Sequence, residues 1–228
     1  MAIEKSTLAI LKNFAQINPN VVYDGNGKIK TISEAKNILA EAEVEGLGKI
    51  SVYDLNEFLS VISLVDDGSI TYEEGKCIIS NDAGYKVTYT FADPNILTSP
   101  QKDITMPSVD AEFVIRGSEL ASVRKAASTL GHNVLRFTNS DKGVVASVID
   151  STGASKNDYS FVLEVVNDVD TTSTFSFDVL INNLKLLDGH GDYMVKLSSK
   201  LISKWEGGCY DKKVNYFIAL ESTSTYAG

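Results

Sequence analysis

The chain holds little cysteine, proline or histidine. Among its 228 residues there are two Cys, four Pro, two His and one Trp. Cys77 and Cys209 have no second thiol or imidazole near them in sequence. That argues against a thiolate metal cluster and reads as reduced structural thiols of a cytosolic protein. His132 and His190 each sit beside glycine with no matching carboxylate or thiol spacing, so neither a metal site nor a nucleophilic triad is supported. No window approaches the roughly 18 consecutive apolar residues of a membrane span, and no basic segment leads into an apolar one at the N-terminus, so no secretory signal is expected. Basic side chains are the minority, 21 against 30 acidic, for a net charge of −9. A sum of that sign speaks against binding that scales with phosphates neutralised. A partner feels the local field, however, so the distribution matters more than the total.

What the chain does contain is a long-period repeat. Ser6-Thr7-Leu8-Ala9-Ile10-Leu11-Lys12 and Ser118-Glu119-Leu120-Ala121-Ser122-Val123-Arg124 share one order of polar, apolar and basic residues. Tyr53-Asp54-Leu55 and Phe177-Asp178-Val179 each open a short apolar stretch that ends at an Asp-Gly pair, Asp67-Gly68 or Asp188-Gly189. A repeat of this length is the mark of a duplicated structural unit. Two units of roughly 110 residues each are of ordinary domain size.

Periodicity predicts a helix over 6–17 with Ser6 as N-cap, stopped at Asn18-Pro19-Asn20. A hairpin is expected across Asp24-Gly25-Asn26-Gly27, joining 21–23 to 28–32. Residues 33–47 combine helical composition with possible strand pairing and read as extended or mixed. A short strand at 49–53 precedes a helix capped by Asp54, with Leu55, Phe58, Leu59, Ile62 and Val65 inward and Glu57 completing the cap. Strands follow at 69–72, 76–80 and 85–91, the last with Tyr85, Val87, Tyr89 and Phe91 on a half-buried face. Three of the four prolines lie between Pro94 and Pro107, a connector. The second half restarts with a strand at 111–116 and a helix at 118–129. Strands are then expected at 134–137, 144–149, 159–166 and 174–177, a helix at 178–187, and strands at 192–197, 201–205 and 214–221. The fold class is α+β: two similar domains of antiparallel sheet with two helices each, at 1–93 and 109–228, joined by 94–108.

Two motifs tempt and fail. The run Asp24–Ile29 resembles the middle of a calcium loop, but positions one and twelve would be Val22 and Ser33 in place of acids. Gly46-Leu47-Gly48-Lys49-Ile50 suggests a phosphate loop whose upstream glycine is Glu43 and whose hydroxyl residue is Ile50. No cofactor and no metal are expected. Acids are plentiful, and a paired-acid hydrolase stays open because spatial pairing is invisible in one sequence.

Three blocks carry a resemblance. Ser6–Asn18, Tyr53–Asp66 and Asn215–Thr225 resemble the DNA polymerase sliding clamp family of T-even-like bacteriophages, and Phe175–Leu187 and Gly191–Leu197 fit it more loosely. The resemblance implies the DNA clamp fold and a head-to-tail homotrimeric ring without an active site, acting in the cytoplasm of an infected bacterial host. It also implies as partners duplex DNA without regard to base sequence, the replicative DNA polymerase, an ATP-driven clamp loader and late-transcription factors. On that reading the DNA-facing candidates are Lys5, Lys12, Arg124, Lys125 and Lys185, with Asn182 and Asn183. A pocket for partner tails would draw on Ile96, Leu97, Met106, Tyr216 and Ile218. The helix at 54–65 offers no base to DNA. Two other readings stay open: an acidic scaffold or DNA-mimicking module that binds basic proteins, and a hydrolase on a two-domain β-rich frame.

Overall fold

In the computed structural model the first helix is set by its apolar spacing. The structure describes residues 3–100, 102–141, 143–165, 174–187, 191–209 and 212–227. Helix α1 (Lys5–Phe14) buries Ile10, Leu11 and Phe14 and leaves Lys5 and Lys12 outside. Ser6 is not its cap. Glu4 holds that position without a side-chain cap bond, and Ser6 is buried inside the first turn. Thr7 Oγ1 donates to the Glu45 carbonyl (2.9 Å), fastening the helix to a distant loop.

The chain separates into two units: Met1–Asp103 with Cys209–Val214, and Ile104–Gly208 with Asn215–Gly228. A short C-terminal segment thus goes with the first unit, where a continuous second domain over 109–228 was expected. The connector divides as well. Its start is tied to the first unit, where Thr98 N–H donates to Asn20 Oδ1 (3.2 Å) and Lys30 pairs with Asp103.

In the first unit follow β1 (Val21–Tyr23), β2 (Lys28–Ile32), β3 (Ile38–Glu43) and β4 (Ile50–Val52). The expected β1–β2 hairpin does not form as a ladder. β1 pairs antiparallel with β4, and β2 with β3. The Asp24–Gly27 turn is real, with Gly25 and Gly27 at positive φ, but Asp24 Oδ1 accepts from Asn26 N–H and Asn26 Oδ1 from Lys28 N–H. Within the ambiguous 33–47 stretch only Ile38–Glu43 is strand, with the small side chains of Ala40 and Ala42 buried. Helix α2 (Leu55–Ile62) starts as expected at Asp54, whose carboxylate accepts from Asn56 N–H (2.9 Å) and Glu57 N–H (3.2 Å). A meander of β5 (Ser69–Glu73), β6 (Lys76–Ser80) and β7 (Lys86–Thr90) completes this unit, with Phe58 packing on Tyr89 at 5.0 Å between ring centres. Tyr85 does not share the half-buried face expected of it; it is 67% exposed.

Gly48 lies against the Tyr72 ring. A Cβ at that position would fall 2.4 Å from Cγ, and the ring is held beneath it. Gly48→Ala is therefore expected to lower stability by about 1–3 kcal/mol through overpacking. Urea denaturation at fixed protein concentration measures it.

The second unit comprises β8 (Ala111–Ile115), α3 (Gly117–Leu130), β9 (Val134–Ser140), β10 (Gly143–Ile149), β11 (Tyr159–Val162), β12 (Glu164–Val165) and β13 (Thr174–Leu180). A 3-10 turn over Ile181–Leu187 leads to β14 (Tyr193–Ser198), β15 (Ile202–Cys209), β16 (Lys212–Ala219) and β17 (Thr225–Ala227). One sheet runs β11-β10-β9-β13-β17; the other carries β12-β8-β14-β15-β16 in that order. The strand expected over 159–166 breaks at buried Leu163. β11 pairs with β10 and β12 with β8, so one segment serves two sheets. The helix expected over 178–187 is a strand as far as Leu180 and only then a 3-10 helix. The run Ser176–Leu180 pairs with β9, and Asp178 is taken up by Arg136 on that strand. The Asp188-Gly189 turn and His190 lie outside the described residues.

Candidate functional site

Helix geometry sorts the basic candidates. Lys5 and Lys12 stand two turns apart on the exposed side of α1, about 10 Å along the axis. In the second unit Asn182 and Lys185 are exposed, whereas Asn183 is 8% exposed and buried with Leu186. The reason is the 3-10 period of three, which aligns 182 with 185 and turns 183 and 186 inward. Asn183 therefore leaves the DNA-facing set. On α3, Lys125 is exposed and Arg124 half-buried beside core Val123. Lys125 lies in a groove of about 420 Å³ shared with Ser122, Thr129, Asp158 and Tyr159. Helix α2 carries Glu57 and no base.

The tail-pocket candidates separate. Ile96 and Leu97 belong to the first unit, Met106, Tyr216 and Ile218 to the second. Ile96 is 69% exposed on a 3-10 turn capped by Asp93, Leu97 is buried and Met106 half-buried. Tyr216 and Ile218 are 1% and 0% exposed, core residues of β16 with no surface to offer a tail. The C-terminal apolar pattern was correct as a strand and misread as a pocket, because alternation does not tell which faces another layer covers.

Two further reactive groups among the described residues, His132 and Cys77, are buried. His132 is buried with a ring nitrogen 2.8 Å from the Asn157 carbonyl. Burial pushes the Cys77 thiol up to about 11, away from thiolate chemistry. Among the described residues no group of three or more His, Cys, Asp or Glu is placed to hold a metal ion. Nor is any helix there long and apolar enough to cross a membrane.

Sequence reasoning missed two strand edges. β7 ends the three-stranded sheet and β11 ends the five-stranded one. Phe91 N–H donates to the Gly75 carbonyl (2.8 Å), so in the β6–β7 register residues 87, 89 and 91 point their N–H inward. Lys86, Thr88 and Thr90 point theirs outward. By the same parity, Leu163 N–H donates to the Val144 carbonyl, which leaves Ser160 and Val162 facing out on β11. Large apolar side chains collect along both edges: Tyr53, Leu64 and Tyr85 in the first unit, Tyr159 and Val162 in the second. Between α2 and β7 runs a groove of about 410 Å³ lined by Tyr53, Glu57, Val61 and residues 88–92. Burial, then the charges of Glu57 and Asp54, push the Tyr89 phenol up to about 12, so it stays neutral there. The alternating Lys86–Thr90 pattern, polar on every second residue, was the available signal.

Comparison with known proteins adds the lineage. The family described as "gp45 sliding clamp, C terminal" matches residues 112–222. The chain is 30% identical over 229 aligned residues to the sliding clamp of Vibrio phage KVP40, spanning 97% of this chain and 100% of that one. It is 29% identical over 233 residues to the sliding clamp of Enterobacteria phage T4, spanning 99% of each. Among solved structures it is similar to the proliferating cellular nuclear antigen of Entamoeba histolytica, with TM-score 0.68, 12% identity, and 96% of this chain and 97% of that chain covered. The A. fulgidus antigen bound to the C-terminal region of FEN-1 aligns with TM-score 0.69 at 10% identity, over 96% of each chain. At such identities these two speak for the fold alone.

Proposed function

The chain belongs to the sliding clamp family of T4-like phages, and on that premise we propose that it encircles duplex DNA as a head-to-tail homotrimer and tethers the replicative polymerase. One observation carries the reading: among the described residues β7 in the first unit and β11 in the second each end a sheet, with exposed Tyr85 opening one and exposed Tyr159 and Val162 on the other. Bare edges invite strand addition. Two different edges on one chain make a heterologous contact, which closes into a ring when the rotation per copy divides a full turn.

A closed ring holds DNA by topology, so its lining needs little affinity. Lys5 and Lys12, with Asn182 and Lys185, are the exposed side chains offered to phosphates, and half-buried Arg124 reaches the surface in part. The acidic remainder of the chain repels DNA from the outside. These contacts read no base sequence. Exposed Ile96 on the connector is the apolar anchor offered to a partner tail, worth about 1.5–3 kcal/mol when buried. The same reading assigns an ATP-driven clamp loader and late-transcription factors as partners, and the cytoplasm of the infected bacterium as the place of action.

The test is retention on nicked circular DNA after loading by the cognate loader. The wild-type chain is expected to stay on circles and run off linear ends. Lys5→Glu with Lys12→Glu should shorten retention while leaving the mass near 74 kDa, three times 24.7 kDa. The slope of log affinity against log salt should become shallower by about 0.9 for each phosphate that the variant no longer neutralises. Equal retention on circles and linear DNA would refute encirclement.

A further inference from the structure

Resting on the ring reading, we propose that Glu57 on α2 of one copy docks against Lys125 on α3 of a second copy, so that both side chains belong to the subunit junction and not to the DNA face.

Of the sheet-end strands, β7 and β11 are the two that lie beside grooves holding a charged side chain of a helix, and their geometry constrains how copies can join. Every strand ladder registered residue by residue in the described structure is antiparallel. In antiparallel addition of β11 to β7 the outward N–H groups of Thr88 and Thr90 donate to outward carbonyls on β11, and the N–H groups of Ser160 and Val162 donate to outward carbonyls on β7. It also fixes which ends meet: the start of β11 lies against the end of β7. The end of β7 is where Glu57 is found, in the groove with Tyr53 and residues 88–92. The start of β11 is where Lys125 is found, in the groove with Asp158 and Tyr159. The strand pairing that satisfies the backbone thus faces the two grooves toward each other. Parallel addition would set the Lys125 groove near Lys86 instead, base against base.

Charge supports the same occupant. α2 presents a carboxylate and no base, which is a poor lining for DNA and a good counterpart for a lysine. Among the described residues neither Glu57 nor Lys125 forms an ion pair within its own copy, so both are free for a partner. Exposed Tyr53 and Tyr159 at the same ends would shield the pair from water, and a shielded pair is worth more than a surface one. Asp158 lines the Lys125 groove and opposes Glu57. It tempers the junction, and with Glu57 and Lys125 makes closure sensitive to salt.

The test is a charge swap read by sedimentation mass over a dilution series, at low and high salt. Glu57→Lys and Lys125→Glu are each expected to raise the concentration at which the assembly dissociates by about tenfold or more. The double variant should return it close to wild type. Asp158→Asn should lower it, and Lys200→Glu, an exposed reversal elsewhere in the second unit, should leave it unmoved. Circular dichroism checks that each variant is folded, and Glu57→Gln and Lys125→Gln give a milder shift with a flatter salt dependence should a reversal fail to fold. A double variant no better than the weaker single, with wild type assembling normally, overturns the pairing and leaves the ring standing. A wild-type chain that stays at 24.7 kDa throughout overturns both.

Discussion

Thr88→Pro is expected to yield a folded monomer. Thr88 sits in the middle of β7 with its N–H pointing away from β6, as the bond from Phe91 N–H to the Gly75 carbonyl requires of alternate residues. Proline removes that N–H and blocks close approach of another strand, while the ladder to β6 keeps its own donors. The mass should drop from about 74 kDa to 24.7 kDa at concentrations where the wild type assembles, and retention on circular DNA should vanish with it. Val87→Pro is the contrast. Its N–H points into the β6 ladder, so that variant should unfold the meander, visible as a lower Tm as well as a failure to assemble. A Thr88→Pro chain that still sediments as a trimer would remove β7 from the junction. A single step along one strand thus separates assembly from folding.

Asp178→Ala is expected to lower stability by about 3 kcal/mol or more. Its carboxylate is 2% exposed. Arg136 grips it in a fork, Nε to Oδ1 and Nη2 to Oδ2, both at 2.7 Å. Thr223 Oγ1 donates to the same Oδ2 at 2.7 Å. The backbone joins in: Asp178 N–H donates to Ser224 Oγ (3.0 Å), and Glu221 N–H donates to the Asp178 carbonyl (2.8 Å). One residue thereby fastens β9, β13 and the turn that leads into β17. Truncation leaves the guanidinium and a threonine hydroxyl without their acceptor, and the cost of a half-broken pair exceeds the worth of the intact one. Arg136 keeps partial access to water, which holds the loss toward the lower end of the range. Urea unfolding at fixed protein concentration gives the magnitude. Hydrogen exchange should show β17 opening first, since its three residues are exposed and hang from that turn. A loss below about 1 kcal/mol would mean that the fork is ornamental.

The two changes illustrate where one-dimensional reading succeeds and stops. Asp54 was legible as a helix cap because a cap depends on the next three residues and nothing else. The same local pattern at Asp178 was misleading. Phe177-Asp178-Val179 looks like Tyr53-Asp54-Leu55, yet an arginine 42 residues earlier claims the carboxylate and draws the segment into a sheet. Lys5 and Lys12 were legible because helical periodicity places them opposite Ile10 and Phe14. Asn183 was not, because the segment turned out to be 3-10 and its period of three reversed which asparagine faces out. The pairing of β1 with β4 in place of β2 escaped the sequence for the same reason as the arginine did: the partner is distant along the chain.

The sequence by itself determined the doubled α+β plan, the family and the basic face of α1. All of these follow from residue order over a dozen positions or from whole-block likeness. Only the tertiary structure decided that Tyr216 and Ile218 are core, that β7 and β11 end their sheets, and that Glu57 and Lys125 each open onto a groove beside such an edge. A strand's alternation is written in its own residues, but whether its second edge or its second face is covered depends on segments far away, and that is a property of the folded chain.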